Sequence, residues 1–269
     1  LQKVYNQCAK SVYLHWNYYT GWNVNAYEIY QSINAGAYTL MNTNAGNDTT
    51  FTQAGLTSGN NYCYLVVAKG TGKTSSSNRQ CFTSSYPAQP AFSYMKSVSV
   101  VSENQVTINT WQDISVSAKE YRMERSDNGG STYYTIGNVP FSGSANVPFS
   151  DGSANTGSQS YFYRVVAVDS CGGDAYTSNA GQTILVSGVA NLNLTNTLAW
   201  NDYSVWLGAV SLYNIYRAVD GVWNPSPVAT VPFGSANTYT DDVSPFLDNN
   251  IGHFSYYVEA VEGAGNPYG

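Results

Sequence analysis

One eight-residue pattern recurs three times and constrains the fold of this chain more than any other feature. It places two aromatic residues, Val and Ala at alternate positions, and its copies are residues 61–68, 160–167 and 253–260. Alternate side chains of an extended strand point to one face of a sheet, so each copy predicts a strand with an apolar face. Because such a face needs a second sheet to cover it, the pattern predicts three two-layer β-structures.

A second repeat lies upstream of each copy and sets the size of the repeating unit. Residues 27–32, 121–126 and 213–218 all read Tyr-x-apolar-x-polar-small, and they start 94 and 92 residues apart. A period of this length indicates a whole domain rather than the short unit of a solenoid.

The domain boundaries follow from the repeats and from a proline pair. Pro87 and Pro90 mark the first linker, since proline cannot continue a sheet ladder. We predict an all-β chain of three tandem β-sandwiches at residues 1–86, 87–188 and 189–269. The third is expected to lack its last strand, because no alternating run follows residue 261.

The early strand of each repeat is expected to end on a large core residue. Trp16 and Trp200 hold this position in the first and third repeats. The second repeat has Thr110 there, with Trp111 beside it on the other face of the strand. Its core is therefore expected to differ from the other two.

Composition narrows the classes of function. Only 10% of the residues are charged and the net charge is −6, whereas nucleic-acid binding calls for a basic patch. No run of about 18 apolar residues exists that would predict a membrane span. Four cysteines without a CxxC pair, beside two histidines, favour two disulfides in an oxidising compartment over a zinc site. Since the chain starts at Leu1, we interpret it as mature or as a piece of something longer.

With these patterns in view, all three repeats resemble fibronectin type III domains. Segments 8–14, 168–172 and 257–263 also resemble the repeats that precede the C-terminal sorting domain of gliding motility-associated surface proteins of Bacteroidetes. This resemblance covers the whole chain, although the sorting domain itself is not in it. It implies a large parent protein that the type IX secretion system exports to the cell surface, often as an adhesin. Secretion or outer-membrane components and other surface proteins are the partners it implies.

Strand direction in such a sandwich places the cysteines. Cys63 and Cys81 fall on neighbouring antiparallel strands, which predicts a cross-strand disulfide. Cys8 precedes the second strand of domain 1, and Cys171 lies in a hairpin loop of domain 2 that projects toward domain 1. A Cys8–Cys171 disulfide across the junction is one prediction. The alternative is a free Cys171, with Cys8 paired to a missing upstream domain.

No catalytic, cofactor or metal site is predicted. The 70–74 segment resembles a phosphate-binding loop, but its first glycine is replaced by Val67 and no helix follows. His15 and His253 lie in predicted strands without a nucleophile beside them. Asp241, Asp242 and Asp248 lack the periodic oxygen ligands of a calcium loop, so a solvated turn is the favoured interpretation.

Loop aromatics and one threonine remain as candidate surface sites. Trp22, Trp206 and Trp223 fall outside core-facing strand positions, and their rings suit either stacking on a sugar or packing at a domain end or junction. Thr49, after Asp48, fits a short O-glycosylation pattern of the resembled phylum.

We therefore expect a non-enzymatic stalk or spacer near the C-terminus of a large secreted surface protein of the adhesin or gliding-motility type. The alternative is a carbohydrate-binding accessory module of a secreted polysaccharide-degrading enzyme.

Overall fold

The structure is a computed structural model that describes residues 1–116, 118–203, 206–247 and 252–268. Within these residues the chain is built from strands, and the single helical element is a three-residue 3₁₀ turn, Ser244–Phe246. The all-β fold class predicted from the sequence is confirmed. Two compact units divide the chain, Leu1–Ala88 and Gln89–Gly269. Among the described residues, no helix has the length and hydropathy needed to cross a bilayer.

The first unit is a sandwich of two sheets, called domain 1 here. Its strands are β1 (Gln2–Asn6), β2 (Ser11–His15), β3 (Ala26–Ile33), β4 (Thr39–Ala45), β5 (Thr50–Gln53), β6 (Asn61–Gly70), β7 (Lys73–Ser76) and β8 (Gln80–Thr83). One sheet has the order β1-β2-β5; the other has the order β4-β3-β6, with β7 and β8 both paired to the far edge of β6. The alternating side chains of β6 face the core, as the repeated pattern predicts.

Domain 2 repeats this arrangement at the start of the second unit. Its strands are β9 (Ser93–Ser102), β10 (Gln105–Gln112), β11 (Glu120–Ser126), β12 (Tyr134–Pro140), β13 (Asn146–Asp151), β14 (Phe162–Val168), β15 (Asp174–Thr177) and β16 (Gly181–Gln182). The sheets have the orders β13-β10-β9 and β12-β11-β14, and β15 and β16 pair with β14.

Domain 3 completes the second unit. Its strands are β17 (Val186–Asn191), β18 (Thr195–Trp200), β19 (Val210–Val219), β20 (Val222–Trp223), β21 (Ala229–Pro232), β22 (Thr238–Asp242) and β23 (Phe254–Glu262). One sheet has the order β17-β18-β22, and in the other β19 pairs with β20, β21 and β23. In the described part of the chain no strand pairs with the other edge of β23, whereas β6 and β14 carry two strands there.

The second boundary differs slightly from the sequence-based division. Strand β17 begins at Val186 and pairs with β18, so a boundary at 188 falls inside the first strand of domain 3. Ser187 and Gly188 are exposed, edge-strand residues that read as a linker in the sequence. Pairing with Ala199 and Leu198 assigns them to the sheet.

The core of domain 2 differs from the other two at the position of Thr110. Trp16 and Trp200 pack edge-to-face on Tyr27 and Tyr213, with ring centroids 5.6 and 5.7 Å apart. Thr110 is buried and donates its hydroxyl to the backbone oxygen of Val147 at 2.9 Å. The smaller side chain is thus satisfied by a hydrogen bond to β13.

Candidate functional site

The first candidate site is the contact between domains 2 and 3. The indole N–H of Trp206, in the loop that follows β18, donates to the backbone oxygen of Lys96 in β9 at 2.5 Å. Tyr203 lies 4.6 Å from the Trp206 ring and is buried, with its hydroxyl bonded to the backbone of Val98. Burial raises the pKa of Tyr203, so the hydroxyl stays neutral. The loop therefore holds the first strand of domain 2.

The residues after β23 form the second half of this contact. The Tyr268 ring lies on Phe92 at 4.8 Å and on Tyr94 at 5.1 Å between ring centroids. Asn266 donates to the Tyr94 hydroxyl at 2.9 Å, and that hydroxyl donates to Glu262 at 3.4 Å. Burial, and then the negative charge of Glu262, raise the pKa of Tyr94. We call this surface the aromatic joint: it consists of Phe92, Tyr94, Lys96, Val98, Tyr203, Trp206, Glu262, Asn266 and Tyr268.

The chemistry of the aromatic joint suits a fixed connection rather than a hinge. Aromatic contacts are typically worth about 0.5–1.5 kcal/mol each beyond the area they bury. Domains in one chain are expected to move relative to each other unless their interface is large and apolar. The aromatic joint places two ring contacts and three side-chain hydrogen bonds between the two domains. Domains 2 and 3 lie in the same compact unit.

The three predicted loop tryptophans lie in three different surroundings. Trp206 is part of the aromatic joint. Trp22 packs on Tyr19, with ring centroids 4.7 Å apart, and against Gly70, where a side chain would collide with the indole. Trp223 lies on the outer face of domain 3. Trp206 and Trp223 therefore lie on different surfaces of domain 3.

Trp223 belongs to an exposed group of three rings. It packs edge-to-face on Tyr257 at 4.9 Å, and Tyr257 stacks on Tyr216 at 4.5 Å with an angle of 12° between the rings. The Trp223 side chain reaches Tyr257 over Ala218, its partner in the β19–β20 ladder, which is too small to intervene. Trp223 and Tyr257 are exposed, and the Tyr216 hydroxyl donates to Glu259 at 3.2 Å. This group offers exposed rings on which a flat ligand could stack.

Among the cysteines, Cys63 and Cys81 are joined in a disulfide between β6 and β8, where they are direct partners in the ladder. Cys8 lies in the turn between β1 and β2, and Cys171 lies in the turn between β14 and β15. The Cys8–Cys171 disulfide remains a prediction.

Thr49 lies in the short turn between β4 and β5 and is half-exposed. Its backbone oxygen accepts from the Trp16 amide at 3.0 Å, and the neighbouring Asp48 carboxylate accepts from Thr50. The Asp-Thr pair therefore forms a small turn, and modification of Thr49 remains a prediction.

A buried polar network that sequence reasoning missed joins the two sheets of domain 3. Arg217 in β19 donates from Nη1 to both carboxylate oxygens of Asp241 in β22 at 2.9 Å. Tyr256 in β23 donates to the same carboxylate at 2.7 Å, and the Arg217 guanidinium lies 4.0 Å from the Phe246 ring. A buried charge pair needs such additional bonds to offset its desolvation.

Equivalent positions in the other domains hold related networks. Asp151 accepts from Arg125 at 2.8 Å and from Tyr163 at 2.9 Å in domain 2. In domain 1 the same place is taken by uncharged residues, Gln31, Gln53 and Tyr64, with hydrogen bonds of 2.6 to 2.9 Å. The sequence signal was available: the residue four positions after the repeated Tyr is Gln31, Arg125 or Arg217.

The acidic residues considered for calcium are engaged elsewhere. Asp241 pairs with Arg217, and Asp242 accepts from the backbone and hydroxyl of Ser244 at 3.0 and 2.7 Å. Asp248 lies outside the described residues. In the described ranges no group of three or more His, Cys, Asp or Glu residues is arranged to hold a metal ion.

Comparison with known proteins gives one family match, which covers domain 1, and similarity to solved structures. Residues 1–79 match the family model of a PBP1-like, fibronectin3-like domain. Among solved structures, the chain is similar to the FN1–FN3 domains of chicken CNTN1, with 15% identity, coverage of 98% of this chain and 92% of that one, and a TM-score of 0.28. It is also similar to a two-domain fibronectin type III segment of chicken tenascin, with 16% identity, coverage of 67% and 94%, and a TM-score of 0.27. No curated protein matches the chain.

The family match falls on domain 1. Domain 2 repeats its strand order, whereas in the described part of domain 3 no strand pairs with the outer edge of β23. Domains of this kind are typically binding or spacing modules without catalytic chemistry. Because fold does not fix function, the function of these domains depends on the surfaces that they expose.

Proposed function

We propose that this chain is a non-enzymatic spacer near the C-terminus of a large secreted cell-surface protein of the adhesin or gliding-motility type, exported by the type IX secretion system. The sequence resemblance and the fibronectin-type match of residues 1–79 support the class of protein. The Cys63–Cys81 disulfide fits an oxidising, extracellular environment. The observation that carries the spacing role is the aromatic joint, since a spacer must hold its domains at a set angle.

The spacing role is tested by opening the aromatic joint. Trp206→Ala removes the indole that bonds Lys96 and the ring that packs on Tyr203. We expect small-angle X-ray scattering to show a larger and more variable particle than the unmodified chain. Trp223→Ala, an exposed aromatic on the outer face of domain 3, is the matched control and should leave the scattering unchanged. Equal scattering from all three proteins would contradict a spacing role for the joint.

The proposal includes a Cys8–Cys171 disulfide between domains 1 and 2. Such a bond would close a loop of well over a hundred residues and stabilise the folded chain by roughly 4 kcal/mol in the chain-entropy model. Peptide mapping without reduction should yield a Cys8–Cys171 peptide beside the Cys63–Cys81 peptide. A Cys63–Cys171 peptide, or a free thiol at Cys171, would rule the arrangement out.

The export route is tested in cells that make the parent protein. Antibodies against residues 1–269 should label intact cells, and the label should disappear from the surface when the type IX secretion system is inactivated. Persistent surface labelling in that mutant would contradict the export route while leaving the spacing role intact. Glycopeptide mass spectrometry of the surface protein tests Thr49, which we propose as an O-glycosylation site.

The alternative is a carbohydrate-binding accessory module of a secreted polysaccharide-degrading enzyme, and the Trp223–Tyr257–Tyr216 group favours it. Exposed rings provide flat apolar surfaces, and Glu259 beside them offers hydrogen-bond acceptors for hydroxyl groups. A glycan array should then show binding that Trp223→Ala removes and that Trp22→Ala leaves in place. Absence of binding across an array of bacterial and plant polysaccharides would exclude this alternative.

A further inference from the structure

Domains 1 and 3 carry the same group of aromatic residues at the end of their early strand. In each, a tryptophan is followed three residues later by a tyrosine and six residues later by a second tryptophan. We call each group an aromatic socket. The socket of domain 1 is Trp16, Tyr19 and Trp22, and the socket of domain 3 is Trp200, Tyr203 and Trp206.

The two sockets have the same internal geometry. The backbone N–H of Tyr19 donates to the hydroxyl of Tyr27 at 2.8 Å, and that of Tyr203 donates to the hydroxyl of Tyr213 at 2.8 Å. The second ring pair also matches, with 4.7 Å from Tyr19 to Trp22 and 4.6 Å in domain 3. Both sockets are therefore formed by their own domain, before any partner is considered.

The sockets differ in what covers them. In domain 3 the first strand of domain 2 lies on the socket, with the Lys96 oxygen accepting from Trp206, and Tyr203 is only 3% exposed. In domain 1, Tyr19 is 37% exposed. Among the described residues, the indole N–H of Trp22 has no hydrogen-bond partner. The tyrosine of the pair is thus covered in domain 3 and exposed in domain 1, whereas Trp22 and Trp206 are both half-buried.

The position at which the chain enters each domain indicates which partner the socket of domain 1 binds. Val186, where the chain enters domain 3 from domain 2, pairs with Trp200. In domain 1, Gln2 pairs with His15, so that position 1 falls opposite Trp16. In both sandwiches the polypeptide therefore begins its first strand beside the socket. In domain 3 the preceding domain covers that socket.

We propose that the socket of domain 1 binds the first strand of a further fibronectin-like sandwich domain, joined to the same polypeptide ahead of Leu1. The bound strand would be an edge strand like β9, with a free backbone carbonyl for the Trp22 indole and apolar side chains for the Tyr19 ring. The covalent connection makes this binding intramolecular, so most of the entropic cost of association is removed. A small contact of this kind therefore suffices to fix the domain. This inference does not depend on the export route or on the nature of the parent protein.

The first experiment asks whether the loop of domain 1 is able to hold such a strand. Residues 201–207 of the full chain are converted to the sequence of residues 17–23 by four substitutions: Asp202→Tyr, Ser204→Thr, Val205→Gly and Leu207→Asn. We expect hydroxyl-radical oxidation of Tyr203 to stay within about twofold of the unmodified chain, because the grafted socket keeps its hold on β9. A rise of about tenfold, the ratio of the 37% and 3% exposed fractions, would overturn the proposal.

Two controls are needed to interpret the oxidation of Tyr203. Trp206→Ala, which opens the aromatic joint, shows the oxidation rate of an uncovered Tyr203. Met95 and Met123 are buried in the core of domain 2, and they should remain unoxidised in every variant that is folded.

The second experiment supplies the occupant directly and also decides the case if the grafted chain does not fold. A copy of residues 89–185 is joined ahead of Leu1, so that the added domain precedes domain 1 as domain 2 precedes domain 3. Oxidation of Tyr19 should fall about tenfold, the ratio of the exposed fractions of Tyr19 and Tyr203, while the Met95 and Met123 peptides stay protected. Unchanged oxidation of Tyr19 with protected methionines would overturn the proposal. Protection of Tyr19 that appears in the unextended chain only as its concentration rises would assign the socket to a second copy instead.

Discussion

Arg217 and Asp241 form a buried ion pair between the two sheets of domain 3, and Tyr256 donates to the same carboxylate. Domain 2 has the same arrangement at Arg125 and Asp151, whereas domain 1 has Gln31 and Gln53. The same backbone positions therefore accept either a charged or a neutral pair. This natural variation supplies a matched control for the first prediction.

Breaking the ion pair should destabilise domain 3 far more than replacing both partners. Asp241→Ala leaves the Arg217 charge buried and unpaired, which we expect to reduce the free energy of unfolding by about 3–5 kcal/mol. Arg217→Gln combined with Asp241→Gln copies the neutral pair of domain 1 and should recover most of that loss. Hydrogen exchange of the β18 and β22 peptides measures both variants. Equal losses in the single and double variants would show that the charge pair is not the cause.

Domain 1 should lose stability in alkali through Tyr64. Burial raises the pKa of this hydroxyl to about 12, above the ordinary value of about 10. Because the folded-state pKa is the higher one, its contribution is fully present below pH 10 and is lost as the pH rises through about 12. A difference of two pKa units corresponds to about 3 kcal/mol.

Hydrogen exchange of the β2 and β6 peptides between pH 9 and 12 tests this prediction. Tyr64→Phe is the control, since it lacks the titrating hydroxyl and should show a shallower loss of protection over the same interval. If both proteins lose protection in parallel, another group governs the alkaline transition.

Removal of the Cys63–Cys81 disulfide should destabilise domain 1 without affecting domains 2 and 3. The bond joins residues 18 positions apart, for which the chain-entropy model gives about 3 kcal/mol. Replacement of both cysteines by serine should lower the urea midpoint of the β6 peptides in exchange experiments. The β14 and β23 peptides serve as internal references, and an equal shift in all three strands would contradict a local effect.

Tyr268→Ala should weaken the aromatic joint by removing the ring that contacts Phe92 and Tyr94. We expect a loss of about 1–3 kcal/mol from the contact between domains 2 and 3, given the energies of two aromatic pairs. Radical oxidation of Tyr94, which is buried, should increase several-fold. Phe233→Ala, an exposed aromatic elsewhere on domain 3, is the control and should leave Tyr94 protected.

The fold was predictable because strand periodicity is a local signal. The aromatic residues, Val and Ala of β6 alternate without interruption, so Tyr62, Tyr64, Val66 and Ala68 were placed in the core from the sequence alone. The tyrosine hydroxyl at the start of this strand also bonds back to the preceding turn, at Thr57. Such short-range relationships are present in the sequence itself.

The aromatic joint could not be predicted from the sequence because it depends on how two domains pack. The sequence alone allowed two roles for Trp206, in a sugar site or at a domain junction. Its contact with Lys96, 110 residues away, places it at the junction. The buried networks were missed for a different reason. Arg217 follows the repeated Tyr in a strand position that is commonly polar, and nothing local shows that Asp241 and Tyr256 meet it across two sheets.

The replacement of the core tryptophan by Thr110 has a practical consequence for optical studies. Trp16 and Trp200 are buried beside a tyrosine ring in domains 1 and 3, so the emission of their indoles reports on the packing of those two cores. Domain 2 has one tryptophan, Trp111, which is only half-buried under Lys96 on the outer face of β10. Fluorescence during unfolding will therefore report directly on the cores of domains 1 and 3, whereas none of the indoles lies in the described core of domain 2.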